Sequence, residues 1–436
     1  MENLILTGTF LAVLFFLLGS GVWVGFSLLG VAVVGMFLFT TRPIGDAMVT
    51  TVWGASSSWT LTALPLFIWM GEILFRTKLS ENLFNGLAPW MQRLPGRLLH
   101  VNIAGCAIFA AISGSSAATV ATVGKMSIPE LRKRKYPESM IIGTLAGAGT
   151  LGLLIPPSII LIIYGVTVNE SISKLFIAGI LPGIMLALLF MSYVAVWGLF
   201  SKNKLEDEQR SIRFIDKIKE SSQLVPVILL IAGVMGSIYT GIATATEAAV
   251  LGVVGSLGLS ALQRSLTRET FKSSLLGATR TSAMIALILA GSSFLSLAMG
   301  FTGLPRSLAS WIADLGLTPM TLILALTVFY IVLGCFLDGI SSVVLTMAVI
   351  EPLVRQAGFD MVWFGIYLVV VVEMAQITPP IGFNLFVLQG MTGRDIGFIA
   401  KAAIPMFMIM ILAVALLVLV PGVATYLPEL MSQRPG

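Results

Sequence analysis

Long apolar runs recur along this 436-residue chain and restrict its fold more than any other feature. They include residues 21–40, 174–200, 223–240, 281–300 and 400–422. A helix of about 20 apolar residues crosses a bilayer, because it satisfies its own backbone groups where no water can do so. Only 11% of the residues are charged, whereas soluble proteins average about 25%. The sequence therefore predicts an all-α polytopic membrane protein.

Two of the apolar runs are interrupted by adjacent prolines. Pro156-Pro157 breaks the run at 149–165, and Pro379-Pro380 breaks the run at 375–390. Proline removes a backbone donor and clashes with the preceding turn, which costs about 3 kcal/mol in a helix interior. We therefore predict that both helices are broken inside the membrane, where each break frees backbone carbonyls and amides.

The two halves of the chain share one plan. The segment "GCAIFAAISGSSAATVATVG" at 105–124 parallels "GCFLDGISSVVLTMAV" at 334–349, and each precedes a double proline. The second serine of each Ser-Ser pair precedes the first proline by 40 positions in one half and by 37 in the other. Five apolar runs separate the two Ser-Ser segments, and an odd number of crossings inverts the second copy. The sequence therefore predicts an inverted repeat.

Each Ser-Ser segment is too short to span the membrane twice and contains small polar residues. We predict two re-entrant helical hairpins, because non-helical backbone at membrane depth survives only inside protein or beside a wet cavity. Of the 26 basic residues, 21 fall in loops on one side, which the positive-inside rule makes cytoplasmic. The first hairpin then enters from the cytoplasm and the second from outside. The predicted turns lie at Ser113, Gly114, Ser115 and Ser116 and at Gly339, Ser341 and Ser342.

The four predicted interruptions, two hairpin tips and two double prolines, supply the atoms of a hard-oxygen site. Each frees carbonyls on one side and, on the other, amides at the positive end of a half-helix dipole. Carbonyls and hydroxyls suit a small cation such as sodium, whereas half-helix N-termini suit a carboxylate. Small residues also permit close helix packing, and this alternative stays open for either motif alone. The first predicted sodium site uses Ser113, Ser115, Ser116, Gly152, Ile155 and Pro156, and the second uses Gly339, Ser341, Ser342, Thr378 and Pro379.

Acidic residues inside apolar segments are expensive and are therefore candidates for function. Asp338, three residues before the second Ser-Ser pair, is a candidate for substrate or transport contacts. Glu373 either assists the second cation site or stays neutral and hydrogen-bonded. Glu247 either takes part in coupling or caps the next helix, and Glu72 either takes part in coupling or lies at the interface. The further substrate or transport candidates are Ser116, Thr119 and Asn384.

Four motifs follow one another along the chain, "ISGSSAATVATVG", "GLLIPPSIILIIYG", "GIATATEAAVLG" and "ITPPIGFNLF". Together they resemble the large membrane subunit of tripartite ATP-independent periplasmic (TRAP) transporters, over nearly the whole chain. The resemblance implies an elevator mechanism, in which a transport domain carrying both hairpins and both broken helices slides against a scaffold. It also implies sodium as the coupling ion, with no other cofactor. It assigns the cation-site role to Ser113, Ser116, Gly152, Ile155, Pro156, Gly339, Ser342 and Thr378.

The resemblance also implies partners and a location. The expected partners are a small four-helix membrane subunit and a periplasmic binding protein that delivers carboxylate or sialic-acid-type substrates. Because the chain opens directly into its first large-subunit helix, we expect the small subunit to be a separate chain. We expect multi-pass insertion in the bacterial inner membrane.

On this interpretation the chain divides into scaffold and transport segments. The amphipathic arms include 77–83 and 302–308, and a cytoplasmic linker covers 201–223. The predicted segments are N-terminal scaffold helices with an arm (1–97), the first transport repeat (98–168), further scaffold helices with the linker (169–301), the second transport repeat (302–390) and a C-terminal helix (391–436).

These features predict a secondary transporter subunit, and no enzyme, that imports a small organic anion such as a C4-dicarboxylate, a sialic acid or another carboxylate. A stand-alone ion-coupled carboxylate transporter of similar inverted-repeat fold is the main alternative. An intramembrane aspartyl protease using "LDG" at 337–339 needs a second facing aspartate, which the sequence does not offer at membrane depth. No Walker-type phosphate loop occurs, so ATP is not the direct energy source.

Overall fold

The computed structural model describes most of the chain. It covers residues 2–76, 86–200, 217, 221–222, 224–303, 318–334, 337–379 and 382–432. Most of the two predicted arms and of the linker, together with Pro380, lies outside the described residues.

The described residues form helices and contain no strand. The first half contains α1 (Glu2–Gly19), α2 (Val24–Phe39), α3 (Ile44–Ser56), α4 (Ala63–Phe75), α5 (Leu99–Ser113), α6 (Ser116–Lys133), α7 (Glu138–Gly149), α8 (Leu151–Leu154), α9 (Ile159–Val168) and α10 (Ile172–Phe200). The second half contains α11 (Val225–Tyr239), α12 (Ala245–Leu262), α13 (Arg268–Thr302), α14 (Pro319–Gly334), α15 (Gly339–Gln356), α16 (Met361–Ala375), α17 (Phe383–Thr392), α18 (Ile396–Leu419) and α19 (Gly422–Ser432).

Several of these helices are long and apolar enough to cross a membrane. Among the described residues α10, α12, α13 and α18 meet that requirement individually. Two further spans are bent pairs, α3 with α4 at 52° and α7–α8 with α9 at 42°. The described residues are thus helical, with several apolar helices, as predicted for a multi-pass membrane protein.

The first helical hairpin turns where small residues permit it. Gly114 follows α5 in the left-handed conformation, with φ of 57°, which glycine adopts without strain. Ser115 then begins α6 as its N-cap and accepts a hydrogen bond from the Ala118 amide. The turn thus lies within the predicted residues 113–116.

The first broken helix stops for a local reason. After α8 the backbone of Ile155 is extended, with φ of −78° and ψ of 123°, as expected for a residue that precedes proline. Ser158 restarts the helix as the N-cap of α9, where its hydroxyl accepts from the Leu161 amide at 3.4 Å and donates to the Leu153 carbonyl. The predicted break at Pro156-Pro157 is therefore present.

The second hairpin turns before the predicted residues, because α15 already begins at Gly339. Asp338 caps α15 by accepting hydrogen bonds from the amides of Ile340 at 3.1 Å and Ser341 at 3.2 Å. Gly339, Ser341 and Ser342 consequently form the first turn of α15 and do not form the hairpin turn. A carboxylate that accepts two amides is a strong N-cap, which explains why the helix starts at this position.

The caps also correct the alignment of the two halves. Both α6 and α15 contain 18 residues with a proline at the fourteenth position, Pro129 or Pro352. Aligning the helix starts matches Ser116 with Gly339, and the first proline of each double proline then lies 40 positions downstream in both halves. Matching the Ser-Ser pairs gave 40 and 37, so that alignment was shifted by three residues.

Each hairpin contacts the broken helix of the other half. Arg132, at the seventeenth position of α6, donates to the carbonyl of Thr392, the last residue of α17, at 3.3 Å. Arg355, at the seventeenth position of α15, donates to the carbonyl of Val168, the last residue of α9, at 3.0 Å. Arg132 also pairs with Glu138. These reciprocal bonds tie the two hairpins and the two broken helices into one body.

Candidate cation site

The tip of the first hairpin lies directly against the first broken helix. A Cβ added to Gly152 would lie 2.7 Å from both the Ser115 carbonyl oxygen and the Ser116 Cα. A Cβ added to Gly114 would lie 3.0 Å from the carbonyl oxygen of Pro157. Only glycine permits such backbone approaches, so residues 114–116 and 152–157 form one unit as predicted for the first pair.

Oxygen atoms concentrate at this first tip. The hydroxyls of Ser113 and Thr119 lie 2.8 Å apart, and Thr119 donates to the Ser115 carbonyl at 2.8 Å. On the facing broken helix, the carbonyls of Ile155 and Pro156 accept no hydrogen bond from the described residues. Hydroxyl and carbonyl oxygens are the ligands that hard cations prefer.

The second hairpin contacts both broken helices. A Cβ added to Gly339 would lie 3.0 Å from Gln376 Nε2 and 3.5 Å from Leu153 Cδ1. Local hydrogen bonds stabilise the break after α16. The Thr378 hydroxyl donates to the Met374 carbonyl at 2.8 Å, and the Gly382 amide donates to the Thr378 carbonyl at 3.0 Å. Gly339 and Thr378 of the second predicted site thus lie on neighbouring elements.

A side-chain hydrogen bond joins the tip of the first hairpin to the second broken helix. The Ser116 hydroxyl, at the start of α6, donates to Glu373 Oε1 near the end of α16. Contacts between neighbouring pairs therefore join the two hairpin tips and the two broken helices. We call this set the break cluster and define it as Ser115, Ser116, Gly152, Leu153, Gly339, Glu373 and Gln376.

Several buried polar atoms in these elements have no protein partner. Within the described part of the chain, Ser342 Oγ, Glu373 Oε2 and both amide atoms of Asn384 lack a hydrogen bond. An unsatisfied buried polar atom costs about 1–3 kcal/mol, so such atoms in a native protein point to a bound ion or water. Among the described residues no three His, Cys, Asp or Glu side chains lie together so that they could hold a metal ion. The oxygens at the two tips are hydroxyl, carbonyl and carboxylate oxygens, which are hard ligands.

Three of the acidic candidates have local structural partners. Glu247 forms a capping box with Thr244 at the start of α12, since it accepts from the Thr244 amide at 2.8 Å. Glu72 pairs with Arg76 one helical turn away, at 2.8 Å. Asp338 is exposed and caps α15. The structure thus favours the capping interpretation of Glu247.

One residue of the break cluster and one residue beside it were not predicted from the sequence. Gln376 is 4% exposed and touches Gly339, and its position in the apolar run before Pro379 was an available signal. Gly71 of α4 lies against the first hairpin, where an added Cβ would be 2.8 Å from the Ile112 carbonyl oxygen. No sequence pattern distinguishes Gly71 from the other glycines.

Comparison with known proteins places this architecture in a family. The family model described as "Tripartite ATP-independent periplasmic transporter, DctM component" matches residues 11–423. The chain belongs to this DctM family. Two of its members match this chain over most of their length. The C4-dicarboxylate TRAP transporter large permease protein DctM of Pseudomonas aeruginosa is 31% identical over 375 residues, covering 86% of this chain and 87% of that protein. The sialic acid TRAP transporter large permease protein SiaM of Vibrio cholerae is 30% identical, covering 95% and 96%.

A longer relative contains further sequence. The isethionate TRAP transporter permease protein DctMQ of Oleidesulfovibrio alaskensis is 31% identical over 420 residues, which cover 95% of this chain but 64% of that protein. These relatives are transporter permeases. The DctM chain is accordingly a multi-pass membrane subunit of a secondary transporter that depends on a substrate-binding protein.

Solved transporters share the fold of this DctM chain. The Alcanivorax borkumensis YdaH transporter superposes with a TM-score of 0.60 at 13% identity, covering 91% of this chain and 96% of that one. Neisseria gonorrhoeae MtrF superposes with a TM-score of 0.53 at 12% identity, covering 91% and 93%. At these identities the likeness concerns the fold alone.

Proposed function

We propose that this DctM chain is the large subunit of a sodium-driven importer that carries a small organic anion across the bacterial inner membrane. The observation that supports the proposal is the break cluster, in which the Ser116–Glu373 bond joins hairpin tips and broken helices from both halves. Two of the three named relatives are named for C4-dicarboxylates and sialic acid, which are carboxylates, and the third is named for isethionate, a sulfonate. We therefore expect a carboxylate as the substrate.

The proposed sodium ligands lie at the two hairpin–helix contacts. The proposed first set is Ser113, Ser115 and Ser116 with the segment from Gly152 to Pro156, and the proposed second set is Gly339, Ser341 and Ser342 with Thr378 and Pro379. In support, Ser115 and Ser116 lie against Gly152, and Gly339 lies against Gln376. Four helices start beside these contacts, namely α6, α9, α15 and α17. The positive ends of their dipoles suit the substrate carboxylate, with Thr119 and Asn384 as candidate polar contacts. Sodium in turn would offset the negative charge brought in by the substrate.

The proposed movement is an elevator of two inverted repeats. The bonds from Arg132 to Thr392 and from Arg355 to Val168 hold each hairpin to the opposite half, which suits a transport domain that moves as one body. Glycines of the proposed scaffold approach it closely. An added Cβ would lie 2.8 Å from the Ile112 carbonyl oxygen at Gly71 and 2.8 Å from the Leu154 carbonyl oxygen at Gly179. These surfaces are where sliding would take place.

Reconstitution tests whether this chain needs the small membrane subunit and the binding protein for uptake. Proteoliposomes with this chain alone should show no uptake of labelled C4-dicarboxylate or sialic acid above empty vesicles. Adding the small membrane subunit and the periplasmic binding protein, with an inward sodium gradient, should start uptake. Replacing sodium with choline is the control and should stop it. Uptake by this chain alone would instead favour a stand-alone carboxylate transporter.

Removing one proposed ligand from either site should weaken sodium dependence. We expect Ser116→Ala and Thr378→Ala each to raise the sodium concentration for half-maximal uptake by roughly tenfold, because a buried cation loses a hydroxyl partner. Ser192→Ala is a matched control, since this exposed hydroxyl donates only to the Leu188 carbonyl of its own helix. Sodium titration of uptake in proteoliposomes gives the measurement. Wild-type titration curves for both variants would contradict the site assignment.

A further inference from the structure

Glu373 occupies an unusual position for a carboxylate. Every residue of α16 is buried, and Glu373 itself is 1% exposed. Its Oε1 accepts from Ser116, while Oε2 has no hydrogen-bond partner among the residues that the structure describes. The ion pairs of those same residues do not include Glu373.

Such a carboxylate needs a compensating group. A buried charge persists when it is paired or binds a metal ion, because its hydration has been lost. The other members of the break cluster are serines, glycines, a leucine and a glutamine, which carry no net charge, whereas Asp338 beside Gly339 is exposed and caps α15. Among the described residues of the break cluster, Glu373 therefore supplies the sole negative charge available to a cation.

Its connections place Glu373 between the two predicted sites. Through Oε1 it holds Ser116 of the first site, 257 positions away in sequence. Thr378 of the second site follows five residues later on the same broken helix. Its neighbour Val372 lies against the second hairpin, 3.0 Å from a Cβ added to Gly339. A cation beside Glu373 would thus stabilise contacts made by both hairpins.

We propose that the Glu373 carboxylate binds a cation through its free oxygen Oε2 and couples the two predicted sodium sites through its bond to Ser116. The inference rests on the proposed sodium coupling and adds a charged ligand to sites otherwise built from neutral oxygens. Hairpin seating then depends on cation occupancy, since Oε1 holds the tip while Oε2 holds the ion. Sodium is the cation that fits the hard-oxygen surroundings.

The test is sodium binding by Glu373→Gln in the purified complex with its small subunit. Glutamine preserves the shape and can still accept the Ser116 hydrogen bond, but it removes the charge. We measure thermal unfolding across a titration of sodium chloride against choline chloride at constant ionic strength, and sodium-dependent uptake in parallel. The sodium concentration for half-maximal stabilisation should rise by about tenfold or more in the variant.

Glu130→Gln is the matched control, because Glu130 also lies on a transport-domain helix but pairs with Arg134 at a partly exposed position. It should keep the wild-type response. If E373Q matches wild type while the wild type responds to sodium, the role of Glu373 is overturned and the sodium-driven function stands. If the wild type shows no sodium response in either assay, both proposals fall.

A second variant covers the case in which E373Q does not fold in either salt. Aspartate in Glu373→Asp keeps the negative charge, but its side chain is shorter by one methylene, so the carboxylate lies farther from the proposed cation. We expect folded E373D to retain sodium-dependent stabilisation, with half-maximal stabilisation shifted to higher sodium. A folded E373D without any sodium response would overturn the proposal, because the charge alone would then be insufficient.

Discussion

Gly152→Ala should reduce uptake by roughly tenfold or more, while the protein still inserts in the membrane. The new Cβ would lie 2.7 Å from the Ser115 carbonyl oxygen and 2.7 Å from the Ser116 Cα. Both obstacles are backbone atoms, so no side-chain rotation can relieve the clash. Overpacking of this kind costs about 1–3 kcal/mol, and the tip of the first hairpin must move to accommodate it. The oxygens that face the first broken helix would then lose their arrangement.

The measurement for Gly152→Ala combines uptake with sodium-dependent thermal stabilisation, and both should decline together. Gly390→Ala is the matched control. Gly390 also lies on a helix that borders a double proline, α17, but no atom lies within 4 Å of an added Cβ. We expect this control to transport at the wild-type rate. Wild-type sodium affinity in Gly152→Ala would show that close seating of the first hairpin is not required for cation binding.

Gly71→Val should reduce uptake by about tenfold while leaving sodium binding within roughly threefold of wild type. Gly71 lies on α4 of the proposed scaffold, and an added Cβ would be 2.8 Å from the Ile112 carbonyl oxygen of the first hairpin. A valine side chain at this contact would obstruct movement of the hairpin past α4. It adds no group to the break cluster, so cation binding should persist.

Comparing sodium-dependent unfolding with uptake separates the two effects for Gly71→Val. Gly258→Val serves as the control, because Gly258 is an exposed glycine of the proposed scaffold helix α12 with open space around an added Cβ. It should show wild-type values in both assays. A fully active Gly71→Val would mean that α4 and the first hairpin do not slide past each other at this contact.

The local chemistry of single residues explains which parts of the fold could be predicted from the sequence. The break at Pro156 and the turn at residues 113–116 were predicted correctly, because proline and glycine constrain the backbone wherever they occur. The turn of the second hairpin was misplaced, because its Ser-Ser pair resembles the first. Asp338 determines the helix start there by accepting two amides. The capping role of Glu247 was one of two open alternatives, and its bond to Thr244 supports it.

The sequence by itself determined that this is an all-helical, multi-pass membrane protein with a hairpin turn at residues 113–116 and a helix break at Pro156. Hydropathy and proline placement are properties of neighbouring residues, so no tertiary information was needed. Only the tertiary structure decided that Ser116 bonds to Glu373 across 257 positions, and that Gly152 supports the first hairpin. It likewise decided that Arg132 and Arg355 reach the opposite halves. Such contacts depend on how whole helices pack, because each partner alone is an ordinary serine, glycine, arginine or glutamate in its own segment.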